Sequence, residues 1–127
     1  VEKYIVLPDE REMLRDEMIN MADNLGVDLI LTTGGTGFSK RDVTPEATKD
    51  VIEKEALGIP EAIRSYSMTI TKRAMLSRAT AGIRKDTLIV NMPGSPKACR
   101  EVMDYILDDL KHGIDILKGD ARECARK

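Results

Sequence analysis

From Val27 to Leu31 the chain is apolar at every position but Asp28, and it then runs straight into "TTGGTG", Thr32 to Gly37. A short, nearly unbroken apolar run is what a strand covered on both faces looks like, as in a parallel sheet. Its termination in a glycine cluster predicts a loop whose backbone comes close to something. The preceding sequence agrees with a layered fold. From Glu10 to Leu25 the apolar residues Leu14, Met18, Met21, Ala22 and Leu25 recur at helical spacing, and Gly26 stops the pattern. Methionines on such a stripe read as ordinary core. Tyr4 to Leu7, short and apolar before Pro8 and Asp9, reads as an earlier strand. A strand, a helix and a strand in that order predict a crossover unit and an α/β fold.

The pattern continues downstream. Thr44, Pro45 and Glu46 read as N-cap, first helical position and first-turn acid, with a helix to about Ala56. Gly58 breaks it, and Ile59 to Met68 reads as another helix. Between Ala74 and Met92 two strand-like stretches flank a Gly-Ile-Arg-Lys-Asp turn region, which predicts an antiparallel excursion returning to a buried strand at Leu88 to Met92. Ser95 and Pro96 then open a helix carrying Val102, Met103, Ile106, Leu107, Leu110, Ile114 and Leu117 on one face, with Gly119 at its end. The final "DARECARK" is polar and is expected to fray.

Composition narrows the function classes. The 127 residues fit one domain, 1–127, with a core that needs neither disulfide nor metal. Twenty Lys and Arg against 22 Asp and Glu give a formal charge of -2, so no nucleic acid or anionic membrane is favoured as partner, and an anionic ligand must be held locally. Cys99 and Cys124 lie far apart with no metal-binding spacing, which reads as free thiols and a cytoplasmic setting. No run of ~20 apolar residues spans a bilayer.

Two glycine-containing loops follow buried strands, Thr33 to Thr44 and Asn91 to Ser95. If the strands are parallel neighbours, both loops face one cleft at the carboxyl edge of the sheet, where ligands bind in open α/β folds. Gly34, Gly35 and Gly37 allow consecutive N–H groups to surround an anion, and helix N-termini add positive dipole ends, so phosphate is the expected ligand. The familiar phosphate motifs fail: a Walker loop begun at Gly34 needs glycine where Ser39 stands, and a dinucleotide fingerprint begun at Gly35 needs it at Lys40. Asp42, just before a capped helix, is a candidate to hold Mg²⁺ or orient a nucleophile. Asp9 also follows a strand end and either joins it or merely caps its own helix. Paired acids with a divalent cation suit nucleotidyl transfer. Arg78 and Lys97 are candidate cations for phosphate, whereas His112 in the last helix reads as surface or packing.

In order along the chain, "TTGGTG", "RDVTPEAT", "AMLSRATAGIR" and "NMPGSPKA" resemble the MogA/MoaB family of molybdenum-cofactor biosynthesis, which includes molybdopterin adenylyltransferases and the related G domain of gephyrin. The resemblance runs from about Tyr4 to Gly119 and looks closer to the adenylyltransferases than to the cofactor-insertion enzymes. It implies a three-layer α/β sandwich with a mostly parallel central sheet, commonly a homotrimer. It implies a protein that binds molybdopterin and ATP with Mg²⁺, transfers AMP to the pterin's terminal phosphate and releases pyrophosphate, with a molybdate-insertion enzyme as partner. Matched residue by residue, Asp42 and Asp9 are the acids of the reaction; Gly34, Gly35, Thr36 and Gly37, with Thr33 and Thr44 at the ends of their loop, form the ligand loop. Ser77, Arg78, Pro93, Gly94 and Ser95 line the same pocket, with Lys97 beside them. Family members usually begin with another strand and helix, so this chain is expected to lack the family's first strand and helix. A non-catalytic molybdopterin carrier, a trimeric scaffold, or adenylyl transfer to another phosphorylated acceptor would use the same motifs.

Overall fold

The computed structural model of the protein describes residues 1–119. Eight elements follow in chain order: α1 Arg11–Ile19, β1 Leu29–Thr33, α2 Thr44–Val51, β2 Lys54–Glu55, α3 Gly58–Met68, β3 Ala81–Arg84, β4 Thr87–Met92 and α4 Pro96–Leu117. The strands form one sheet in the order β1-β4-β3-β2. β1 pairs parallel with β4, from Leu29 opposite Leu88 to Thr33 opposite Met92. β3 pairs antiparallel with both β4 and β2.

β4 is buried at all six positions, so its two faces serve two cores. Leu88, Val90 and Met92 meet Ile63 of α3 and Val102, Ile106 and Leu110 of α4. Ile89 points the other way and joins Ile30, Met18, Ala22, Ala47 and Val51 under α1 and α2. Each of these side chains larger than alanine contributes on the order of 1.5–3 kcal/mol by leaving water. The result is the expected α/β sandwich of three layers, but the sheet is less parallel than expected. Among the described strands only β1 and β4 run parallel, because the chain re-enters the sheet through a hairpin whose two-residue turn has Lys85 at φ 52°.

Several local expectations need correction. Tyr4 to Leu7 is not a strand: it makes no ladder with the sheet, and Tyr4 and Val6 are almost wholly exposed. Without a hydrogen-bonded neighbour an extended segment has no lattice to join. The first predicted crossover is therefore absent, and the parallel pair is made by β1 and β4 instead. α1 ends earlier than the periodicity suggests, continuing as one π-helical turn over Asn20–Asn24 that leaves Leu25 half exposed before Gly26 at φ 62°. α2 stops at Val51 rather than near Ala56, because Ile52 turns to extended backbone and the chain pairs as β2. Its N-cap is Val43, with no side-chain cap, and Thr44 is the first helical residue. α3 and α4 follow expectation; Ser95 caps α4, its Oγ accepting the Ala98 N–H at 3.4 Å. Cys99 is a half-buried free thiol and His112 is exposed. Cys124 and the expected fraying of the last residues lie outside the described residues.

Candidate functional site

Because β1 and β4 are parallel neighbours, the loops that follow them leave the same edge of the sheet side by side. The Gly34 N–H donates to the Met92 carbonyl at 3.3 Å, and a methyl group on Gly94 would meet the Gly34 Cα at 3.2 Å. The two loops predicted to share a cleft are thus in backbone contact. Inside the first loop, Gly35 has φ 71° and packs so closely on Thr44 that a Cβ would overlap the threonine hydroxyl. At Gly37 a Cβ would come within 2.8 Å of Asp42 Oδ2.

The peptide units of this loop share one arrangement. The carbonyls of Gly35, Thr36 and Gly37 accept, in turn, from Thr44 N–H at 3.1 Å, Arg78 N–H at 2.7 Å and Arg78 Nε at 2.8 Å. Their own N–H groups have no partner among the described residues. Consecutive free amides beside the N-terminal end of α2, with the capped N-terminus of α4 nearby, have the chemistry that suits an anion. Asp42 sits at the end of the loop, half buried, and its Oδ2 accepts the Ser39 N–H at 3.0 Å. No cluster of three or more His, Cys, Asp or Glu able to hold a metal occurs among the described residues. A lone carboxylate beside a glycine loop with free amides nevertheless fits Mg²⁺, which is commonly held by one or two carboxylates together with substrate phosphates and water. Asp42 is the residue able to take that part.

Arg78 stands elsewhere than the sequence suggested. It is not in a strand; it follows a short 3₁₀ turn, Lys72–Leu76, and its guanidinium faces the protein. Besides Gly37, it donates from Nη2 to the Asp42 carbonyl at 2.7 Å and from Nη1 and Nη2 to the Glu46 carboxylate at 2.6 and 3.2 Å. The Arg78 hydrogen bond holds the Glu46 carboxyl below its ordinary range. Ser77 turns inward as well, its Oγ accepting the Ala79 N–H at 3.2 Å, and Arg64 donates to the carbonyls of Ser77 and Ala79 at 3.3 and 2.8 Å. Thr33, Gly94, Ser95 and Lys97 are exposed at the sheet edge, and Pro93 is half buried. Asp9 is exposed in the turn before α1, where Glu10 is the N-cap; the Asp9 carboxylate neither caps the helix nor meets the Asp42 loop through any hydrogen bond among the described residues.

Sequence reasoning missed a polar network under the loops. Asn91, fully buried in β4, accepts the Thr80 N–H at 3.0 Å and donates to Thr32 Oγ1 at 3.0 Å and Thr48 Oγ1 at 2.9 Å. It joins the ends of β1 and β4 to α2, all its donors and acceptors engaged in a place where an orphan would be costly. One amide in an otherwise apolar strand, "TLIVNM", was the available signal. A separate apolar cavity of about 520 Å³ lies between α3, α4 and the β3–β4 hairpin, lined by Ile59, Ala62, Ile83, Leu88, Tyr105 and Ile106 among others, and includes no residue of the glycine loops.

Comparison with known proteins points the same way. A family described as "Probable molybdopterin binding domain" matches residues 1–112. A molybdopterin adenylyltransferase of Helicobacter pylori is 40% identical over 124 residues, covering 98% of this chain and 70% of that protein. Gephyrin of Dictyostelium discoideum is 48% identical over 114 residues, 90% of this chain and 16% of gephyrin. Among solved structures, the molybdopterin biosynthesis enzyme MoaB of Thermus thermophilus superposes with a TM-score of 0.82 at 45% identity, covering 88% of this chain and 70% of that one.

Proposed function

Since the chain belongs to the molybdopterin-binding domain family of molybdenum cofactor biosynthesis, we propose that it is a molybdopterin adenylyltransferase. In this reaction an oxygen of molybdopterin's terminal phosphate attacks the α-phosphorus of ATP. A new phosphoanhydride bond forms, the bond between the α- and β-phosphates breaks, and pyrophosphate leaves with the bonding pair. Transfer between two polyanions is governed by positioning and charge stabilisation more than by proton transfer.

The observation that carries the reading is the run of unbonded amides at Gly35, Thr36 and Gly37, set against the Gly94 loop with Asp42 at its end. The Thr36 and Gly37 N–H groups hold phosphate oxygens without themselves moving, because the carbonyls of their peptide units, those of Gly35 and Thr36, are already engaged. Ser95 and Lys97, at the start of α4, are the groups this reading assigns to charge that develops on the departing pyrophosphate. Asp42 would hold Mg²⁺, which, when bound, neutralises charge on the transferred and leaving phosphates. Asp9 is kept in this reading as the second acid of the reaction, on the family resemblance alone. The same reading extends to a cytoplasmic homotrimer that hands its product to a molybdate-insertion enzyme. Support for assembly on this chain is the exposed apolar set Met68, Ile70, Met75 and Leu76, and sedimentation at equilibrium tests it. No helix among the described residues is long and apolar enough to cross a membrane.

The deciding experiment supplies the protein with Mg-ATP, with and without molybdopterin, and follows pyrophosphate. Release that requires molybdopterin and matches adenylylated pterin one for one is expected. Tight pterin binding without release would replace the enzyme by a carrier or scaffold, and release with a different phosphorylated acceptor would redirect the substrate.

A further inference from the structure

Arg78 has the charge of a phosphate ligand, but its half-buried guanidinium spends its hydrogen bonds on protein groups. Its side chain makes four hydrogen bonds, to the carbonyls of Gly37 and Asp42 and twice to Glu46, and its own N–H takes the Thr36 carbonyl. Those contacts fix the carbonyls of Thr36 and Gly37, whose peptide units carry the N–H groups of Gly37 and Phe38, unpartnered among the described residues, and they fix the backbone of the acid at the loop's far end. Glu46, in the first turn of α2, orients the guanidinium. Arg64 holds the segment on either side by donating to the carbonyls of Ser77 and Ala79.

A peptide unit is planar, so a carbonyl tied inward turns its neighbouring N–H in the opposite direction. We propose that Arg78, braced by Glu46, is a positioning residue that presents the loop amides and Asp42 to the anion, rather than a cation that contacts the anion. This rests on the adenylyltransferase reading for its kinetic consequence, but not for its structural one. The planar fork matters: a guanidinium reaches two carbonyls and a carboxylate at once, whereas the single ammonium of lysine keeps the charge and loses the geometry.

Arg78→Lys and Glu46→Gln separate the two roles. Amide hydrogen exchange of the unliganded protein is read first. If Arg78 positions the loop, Arg78→Lys raises exchange at Ser39, Asp42 and Thr44, loop amides that are hydrogen-bonded in the unliganded protein, by about 10-fold or more while amides of β4 are unchanged, as expected when a local opening equilibrium shifts. Glu46→Gln shifts the same amides in the same direction by less. In pyrophosphate release, Arg78→Lys then lowers kcat on the order of 10²-fold, the scale of a misplaced reacting group, with KM for ATP changed by less than about 3-fold. Asp42→Ala added to Arg78→Lys costs much less than in the parent, since both act through the same geometry. A ligand cation would behave oppositely: unchanged loop exchange, activity largely kept by lysine, and Glu46→Gln neutral or activating because it frees the arginine. That pattern overturns the proposal. If Arg78→Lys does not fold, Glu46→Gln alone decides by the same readouts. Faster loop exchange in a protein whose parent releases no pyrophosphate leaves the positioning role standing and refutes the transferase instead.

Discussion

Replacing Gly35 by alanine tests whether the glycine loop is built as described. The residue sits at φ 71°, where an L side chain costs about 1–2 kcal/mol relative to glycine. Its new methyl would overlap the Thr44 hydroxyl and lie 3.3 Å from Thr44 Cβ. Thr44 is 5% exposed, its N–H is bonded to the Gly35 carbonyl and its carbonyl receives the Thr48 hydroxyl, so it cannot simply step aside. Forcing it costs roughly another 1–2 kcal/mol, typical of overpacking. Together Gly35→Ala should destabilise by about 2–4 kcal/mol, a Tm decrease of roughly 6–15 °C for a chain of this size. Urea and thermal unfolding of the parent, Gly35→Ala, Thr44→Ala and the double variant complete a cycle. Because Thr44→Ala removes the overlapped hydroxyl, the double variant should recover about 1–2 kcal/mol against the sum of the single changes. A Gly35→Ala protein within about 0.5 kcal/mol of the parent, or an additive cycle, would refute the close approach.

The Asn91 network makes a second prediction: Asn91→Ala orphans the buried Thr80 N–H and leaves a small void, costing about 2–4 kcal/mol in urea unfolding, with faster exchange at the Thr80 amide. Acid should weaken the fold in a defined window. Glu46 is held below 4.5 by the Arg78 hydrogen bond, and Asp23 and Asp50 are held below 3.8 by those of Arg84 and Arg11. Folded pKa values lower than unfolded ones mean that these groups contribute fully above their unfolded pKa and lose the contribution as pH falls through the folded value. Urea midpoints should therefore be flat in these groups from pH 7 to about 5 and decline below about 4. Arg78→Met should flatten the Glu46 part of that decline; an unchanged acid slope would contradict the pairing.

What the sequence made legible is what short-range pattern encodes. The apolar runs of β1 and β4 announced buried strands, and Ser95 with Pro96 marked the start of α4. Glycine density marked the loop that follows β1, and the convergence of two loops followed from parallel pairing alone. The partners of charged groups were not legible, because they are chosen across the fold. Arg78 finds Glu46 32 residues away and the Gly37 carbonyl 41 away, so a cation near the motif was read as a ligand although it faces inward. Asn91 was likewise passed over as the edge of a loop, since its three partners come from three different segments. Tyr4 to Leu7 shows the reverse error: its composition suits a strand, but pairing needs a neighbour that composition does not provide. The short β2 was hidden because Lys54 and Glu55 are exposed and owe their conformation to β3.

The most direct test of the central claim is pyrophosphate release with molybdopterin and Mg-ATP by the parent and by Asp42→Ala, with molybdopterin binding and thermal unfolding measured on both. Among the described residues the Asp42 carboxylate bonds only the Ser39 N–H, while the backbone bonds of Asp42, its N–H to the Ser39 carbonyl and its carbonyl from Arg78, are kept by alanine. The account predicts that Asp42→Ala unfolds within a few degrees of the parent and still binds molybdopterin, while release falls by on the order of 10²-fold or more. Equal release by the two proteins would contradict it.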